Sequence, residues 1–190
     1  MEHIKSILQE NIDIKNKILN DTALLERIQN VANIIVNAFQ NGNKVILAGN
    51  GGSAADAQHI TAEFIGKFLK TRKALPAICL NTNVSSLTAI SNDMGYENLF
   101  LRQAQALAQC GDVFLGFTTS GNSKNLVEAF NYASAIDVTC VAFTGETGGE
   151  IADYSNIVLN IPSDSNPRIQ EIHITIGHII CELVEQKLFG

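Results

Sequence analysis

The sequence predicts an α/β fold with five parallel strands in one sheet, covered by helices on both faces. Three observations carry this. Short apolar, β-prone runs alternate with segments of helical periodicity along most of the chain. Two of the runs, Asp112–Phe117 and Val138–Phe143, are almost unbroken apolar stretches, the pattern of strands buried on both faces. Two polar loops, Gly49–Ser53 and Thr118–Ser123, each follow a strand and lead into a helix, where parallel sheets collect ligands.

The elements follow in order. Ile4, Ile7, Leu8, Ile12 and Ile18 mark a first helix. Leu24, Leu25, Ile28, Val31, Ala32, Ile35 and Phe39 mark a second, with Asn20-Asp21-Thr22 as break and cap between them. Asn41-Gly42-Asn43 stops the second helix, and Lys44–Ala48 reads as a strand. Ser53–Gly66 is predicted helical and Ala77–Leu80 a short strand after Pro76. Val84–Asn92 and Glu97–Gln109 read as helices interrupted at Met94-Gly95. Strand Asp112–Phe117, helix Ser123–Ser134 and strand Val138–Phe143 come next, then a glycine-rich loop at Gly145–Gly149 and a short helical turn. Asn156–Ile161 is the last strand. Pro167–Phe189 is a long terminal helix with proline in its first turn, where a missing N–H costs nothing.

A chain of 190 residues, 46% hydrophobic and 17% charged, holds one domain with a full core. The net charge of −6 offers no basic surplus to displace counterions from nucleic acid, so no nucleic-acid partner is expected. An anionic ligand has to be captured locally, by dipoles and hydrogen bonds. Cys79, Cys110, Cys140 and Cys181 are scattered without a Cys-x-x-Cys pair, which suits reduced, packed thiols in a cytoplasmic protein. The first twenty residues mix Glu2, Lys5, Glu10, Asp13, Lys15 and Lys17 with apolar positions, so no signal peptide and no membrane span is expected.

Gly49-Asn50-Gly51-Gly52-Ser53 lets backbone approach a ligand closely, and Ser53 is placed to cap the following helix. It lacks the third glycine of a dinucleotide loop, where Ala54 stands, and it lacks a Walker lysine. An ordinary tight turn would use the same residues. Thr118-Thr119-Ser120-Gly121-Asn122-Ser123 is more specific. It presents four hydroxyls at a helix start, where capping needs one, and so reads as an anion cradle without a cation. The pair suggests a sugar-phosphate site.

Asp56, His59 and Glu63 share the helix after the glycine loop. The i, i+4 spacing puts His59 and Glu63 on one face, as for a divalent metal or for a routine surface pair. Gly66-Lys67-Phe68, just beyond, carries no functional signal. On the terminal helix, His178 stands among isoleucines, as a core or interface histidine would. Gln170 and His178 are eight residues apart, about 12 Å along a helix, so serving one metal together requires two copies of the chain.

Taken together, these strings resemble the bacterial phosphoheptose isomerases of the sugar isomerase (SIS) domain group. The residues that carry the likeness are Gly49–Ser53 with Asp56, His59 and Glu63; Asn92-Asp93; Thr119–Ser123; and Arg168–His173 with His178. The likeness spans essentially the whole chain. It implies a Rossmann-like three-layer sandwich: a single SIS domain over residues 42–190, with an N-terminal helical pair over residues 1–41 serving oligomerisation. It implies a homotetramer with sites at subunit interfaces, and one zinc ion per subunit held by His59, Glu63, Gln170 and His178. It places substrate contacts on Asn50, Gly51, Gly52, Ser53, Glu63, Asn92, Asp93, Thr118, Thr119, Ser120, Ser123 and Gln170. It implies conversion of D-sedoheptulose 7-phosphate to D-glycero-D-manno-heptose 7-phosphate, which feeds lipopolysaccharide or capsule. For that shift Glu63 is the expected catalytic base and His178 the expected acid; because metal coordination lowers a carboxylate's basicity, Glu63 serves as base, as ligand or as both. Thr118 stands where serine is common, and Pro167 where some members carry an acid. The rival from another class is a non-catalytic SIS regulator that binds a replication-initiator protein. The joint presence of His59, Glu63 and His178 favours the enzyme, since a scaffold needs none of them.

Overall fold

Five strands pair in parallel: β1 (Val45–Gly49), β2 (Ala77–Cys79), β3 (Val113–Phe117), β4 (Thr139–Thr144) and β5 (Ile157–Asn160), in the order β2-β1-β3-β4-β5. The computed structural model describes residues 1–190. Seven helices surround the sheet: α1 (Glu2–Leu19), α2 (Thr22–Gln40), α3 (Gly52–Ile65), α4 (Val84–Met94), α5 (Leu99–Leu107), α6 (Lys124–Ala135) and α7 (Asn166–Phe189).

β1 and β3 are buried along their whole length, so their residues divide between two cores by the strand's period of two. Val45, Leu47, Val113, Leu115 and Phe117 face the core closed by α2, α3 and α7. Ile46, Ala48 and Phe114 face the core closed by α4, α5 and α6. The three expected layers are present. Asp21 caps α2 by accepting from the Leu24 N–H at 3.0 Å, and Asn83 caps α4 by accepting from Ser86 N–H at 3.0 Å.

Element ends differ from the sequence reading by a residue or two, with one larger correction. Glu97–Gln109 is not one helix. Gly95 turns the chain with φ +89°, Tyr96–Asn98 wind as a tight 3-10 turn, and α5 runs only from Leu99 to Leu107. The helix ends there because Ala108 is already extended.

The chain leaves β1 toward β2 on one side and returns to β3 on the other. This makes the β1–β3 border the topological switch point, where open α/β sheets bind ligands. Gly49 and Phe117 are register partners, so the glycine and hydroxyl loops emerge side by side.

Behind these loops α7 buries His173 against the rings of Phe117 and Phe143, at 6.2 and 5.7 Å between centroids. Its Nε2 lies 3.2 Å from the Thr144 carbonyl, while Nδ1 has no partner. Burial drives the imidazole down to about 4, against the opposing pull of that hydrogen bond, so it is neutral at physiological pH. All four cysteines are free; Cys79, Cys140 and Cys181 are buried and Cys110 is exposed. Ile4, Leu8, Ile12 and Leu19 leave an apolar stripe exposed on α1. No helix is long and apolar enough to cross a membrane.

Candidate active site

The glycine loop is fixed from both sides. Asn81 accepts from Gly49 N–H at 3.2 Å and donates to the Gly49 carbonyl at 2.9 Å, which ties the end of β1 to the segment after β2. Gly51 takes φ +57°, a conformation glycine adopts freely. Gly52 lies beneath Gln170: a Cβ there would stand 2.7 Å from Gln170 Oε1. Ser53 does not cap α3 as expected. The cap position is Gly51 and the helix starts at Gly52, which leaves Ser53 buried in the first turn, 3.5 Å from Gln170 Nε2. Asn50 forms a reciprocal amide pair with Asn125, both bonds 2.9 Å, and accepts from Tyr96 Oη at 2.8 Å.

The hydroxyl loop is fixed by backbone bonds and by a few local side-chain bonds. Thr118 N–H donates to the Phe143 carbonyl and Gly145 N–H to the Thr119 carbonyl, each at 2.9 Å. Gly121, at φ +70°, packs so tightly on the Gly148 carbonyl that a Cβ would fall 1.9 Å from it. Within the loop, Thr118 Oγ1 accepts from Gly121 N–H at 3.2 Å and lies 3.2 Å from Ser123 Oγ. Ser120 Oγ accepts from Asn122 N–H at 3.1 Å. Ser123 occupies the cap position of α6 without a side-chain cap bond, so its hydroxyl stays available to a ligand together with the free N–H groups of the helix start. A cavity of about 270 Å³ lies where the loops meet, bordered by Asn50, Tyr96, Glu97, Ser123, Lys124 and Asn125. Asn92 and Asp93, on the last turn of α4, are exposed and bond each other at 2.8 Å; neither hydrogen-bonds to the loops.

A second group of residues lies further down α3. Gly177 of α7 meets Ile60 of α3 so closely that a Cβ would stand 2.6 Å from Ile60 Cδ1. That approach sets the next residue, His178, against His59 and Glu63. His59 Nε2 is 2.9 Å from His178 Nε2 and 3.2 Å from Glu63 Oε1. One ligand atom from each of the three falls within 4.8 Å of the others. Two imidazole nitrogens and a carboxylate oxygen converging in this way are the donor set zinc takes, so the residues fit that ion. Gln170 does not join them within the chain; its amide stands over Gly52 instead. Asp56 also stands apart. Its Oδ2 is buried without a partner, and burial pushes its carboxyl up to about 6 against the lowering effect of His59.

A family model for the SIS domain matches residues 12–145. The phosphoheptose isomerase of Clostridium acetobutylicum is 50% identical over 187 residues, 98% of this chain and 95% of that protein. That of Aneurinibacillus thermoaerophilus is 50% identical over 188 residues, 99% of this chain and 95% of that one. The structure of the phosphoheptose isomerase from Neisseria gonorrhoeae superposes with TM-score 0.90 at 38% identity, covering 97% of this chain and 98% of that one. That from Francisella tularensis gives TM-score 0.93 at 35% identity, with 97% of each chain covered. The chain belongs to the phosphoheptose isomerase family of SIS-domain proteins.

Within this SIS domain, sequence reasoning found the loops and the three donors but missed Asn81, Tyr96 and Asn125. Tyr96 stands 46 residues from Asn50, and Asn125 stands 75 away. No local spacing marks such partners; only the switch-point geometry brings them to one place.

Proposed function

We propose that this SIS-domain chain is the aldose–ketose isomerase that converts D-sedoheptulose 7-phosphate to D-glycero-D-manno-heptose 7-phosphate, the first step toward nucleotide-activated heptose for lipopolysaccharide or capsule. One observation carries the reading: the same fold holds a neutral anion cradle at the strand tips and a carboxylate–imidazole cluster between α3 and α7.

The reaction removes a proton from C1 of the ketose and returns one at C2 through an enediol, while the hydroxyl proton passes from O1 to O2. Glu63 is the base that takes and returns the carbon-bound proton. Its Oε1 faces His59, which leaves Oε2 for the substrate. His178 moves the proton between the two oxygens. Thr118, Thr119, Ser120 and Ser123 hold the phosphate, so binding energy remote from the reacting carbons sets their position. Asn50, Gly51, Gly52 and Ser53 line the sugar's path, with Asn92 and Asp93 on hydroxyls.

Glu63 is eleven residues beyond Gly52, about 16 Å down α3 from the glycine loop, and His178 is about 12 Å along α7 from Gln170, so one copy does not bring these groups to one sugar. The working site is therefore composite. The cradle of one copy, with Gln170 over its glycine loop, meets His59, Glu63 and His178 of another. Gln170 then completes a four-donor set that a single chain does not assemble. These donors would hold one zinc ion per subunit, which would supply Lewis-acid chemistry to the site. The exposed apolar stripe of α1 supports residues 1–41 as the assembly element of a cytoplasmic homotetramer, with residues 42–190 carrying the isomerase domain.

Incubation of the purified protein with sedoheptulose 7-phosphate, with and without chelator, tests the reading. Appearance of the aldose phosphate is expected; its absence from zinc-loaded, assembled protein overturns the assignment.

A further inference from the structure

Between α3 and β2 the chain runs through residues 66–76 without regular structure, yet one stretch of it is among the most firmly held in the molecule. Glu185, on α7, accepts from three successive backbone N–H groups: Phe68 at 3.2 Å, Leu69 at 2.7 Å and Lys70 at 2.8 Å. Arg72 donates from Nε to the same carboxylate at 3.0 Å, and both side chains are 3% exposed. The rest of the guanidinium caps the end of α3, with Nη2 donating to the Glu63 carbonyl at 2.7 Å and Nη1 to the Phe64 carbonyl at 2.8 Å.

A buried ion pair returns little net stability, because desolvating two charges offsets their attraction. What this pair secures is placement. It closes α3 two residues after the carboxylate that the proposed reaction uses. It also fixes the backbone of Phe68, whose ring lies face-on to His178, with 5.6 Å between centroids and 23° between planes. That is offset stacking. The χ2 torsion of histidine is broad and two-fold, so the backbone of α7 alone does not choose the imidazole plane. His59 bounds the ring on one side in an edge arrangement, with centroids 5.0 Å apart. Phe68 supplies the wall on a face.

We propose that Phe68 is a positioning residue. Pinned by the buried Glu185–Arg72 pair, it fixes the plane of His178 so that the imidazole meets the sugar oxygens in line. This deepens the isomerase reading and rests on it for the kinetics, though not for the ring geometry. A residue acting only through orientation changes turnover and leaves the phosphate's grip alone, since misplacing a reacting group slows chemistry without weakening remote binding.

The experiment uses the assembled protein and three single variants. Phe68→Leu keeps apolar bulk and removes the ring; it is expected to lower kcat about tenfold with KM within about twofold of wild type. Phe68→Tyr keeps the ring and retains kcat within about twofold. Glu185→Gln loosens the pin and lowers kcat as Phe68→Leu does, with no further loss when the two are combined. Imidazole proton resonances of His178 supply a readout independent of turnover: the ring-current shift from Phe68 persists in Phe68→Tyr and disappears in Phe68→Leu. Should Glu185→Gln fail to fold, the two Phe68 variants still decide. A folded Phe68→Leu with wild-type kcat and an unmoved His178 resonance overturns the inference, as does Phe68→Tyr proving as slow as Phe68→Leu. Absence of turnover in the wild type would instead overturn the isomerase reading, and the resonance shift would still judge the stacking.

Discussion

The strand-tip loops and the α3–α7 cluster are built by opposite means. The loops are held mainly through their main chain: the Asn81 amide clasps the backbone of Gly49, Gly121 locks on Gly148, and Phe143 and Thr119 carbonyls tie neighbouring turns together. Their hydroxyls, though drawn into local bonds, gather at one helix start. The cluster rests on three side chains from two helices, brought together because residue 177 has no Cβ. The first arrangement is suited to recognising a fixed shape and charge. The second is suited to moving protons, since it sets a carboxylate and two imidazoles against one another. Binding and chemistry should therefore separate under mutation.

Glu63→Gln gives the largest effect and the sharpest test of that separation. It removes the proposed base and keeps the shape, so turnover should fall by about 10³, within the range for a lost general base, with KM little changed. An aldose-phosphate assay checks it; near-normal turnover removes Glu63 from the role.

His173 gives the next effect, and it falls on the loop side. Its folded value of about 4 lies below the usual 6.5, so the neutral form is favoured by folding. Its contribution is whole above pH 6.5 and is lost as pH falls toward 4. At pH 5 the loss is about 2 kcal/mol, from about 1.5 units at 1.36 kcal/mol each. Denaturant unfolding at pH 7.5 and 5 measures it, and His173→Gln should flatten that difference.

Thr118→Val removes the hydroxyl that receives Gly121 N–H and faces Ser123. Steady-state kinetics should show KM up by roughly tenfold with kcat largely kept, the loss of one hydrogen-bonding group to an anion. Tyr96→Phe is the mildest. Losing one neutral bond to Asn50 should raise KM about threefold, while Asn125 still holds that amide.

The same contrast explains what the sequence could reveal. Apolar runs name β1, β3 and β4 because burial on both faces leaves an unbroken pattern, and the loops follow from their position after strands. His59 and Glu63 are legible as an i, i+4 pair on one helix. Phe68 gives no sign of its place, because its significance comes from Glu185, more than a hundred residues on. Ser53 reads as a cap and is not one, since Gly51, at φ +57°, starts the helix a residue early. Glu97–Gln109 has helical periodicity throughout, but periodicity does not register the reversal at Gly95 that winds its first turn tightly.

Neither strand-tip loop carries a basic residue, and the chain as a whole is acidic by six charges. A dianionic phosphate ester thus approaches against the field of the protein's net charge, with Lys124 the one basic side chain bordering the loop cavity. Dissolved ions shorten that field to about 8 Å at physiological strength, so moderate salt should speed encounter here, the reverse of its effect on sites that draw their substrates in by opposite charge.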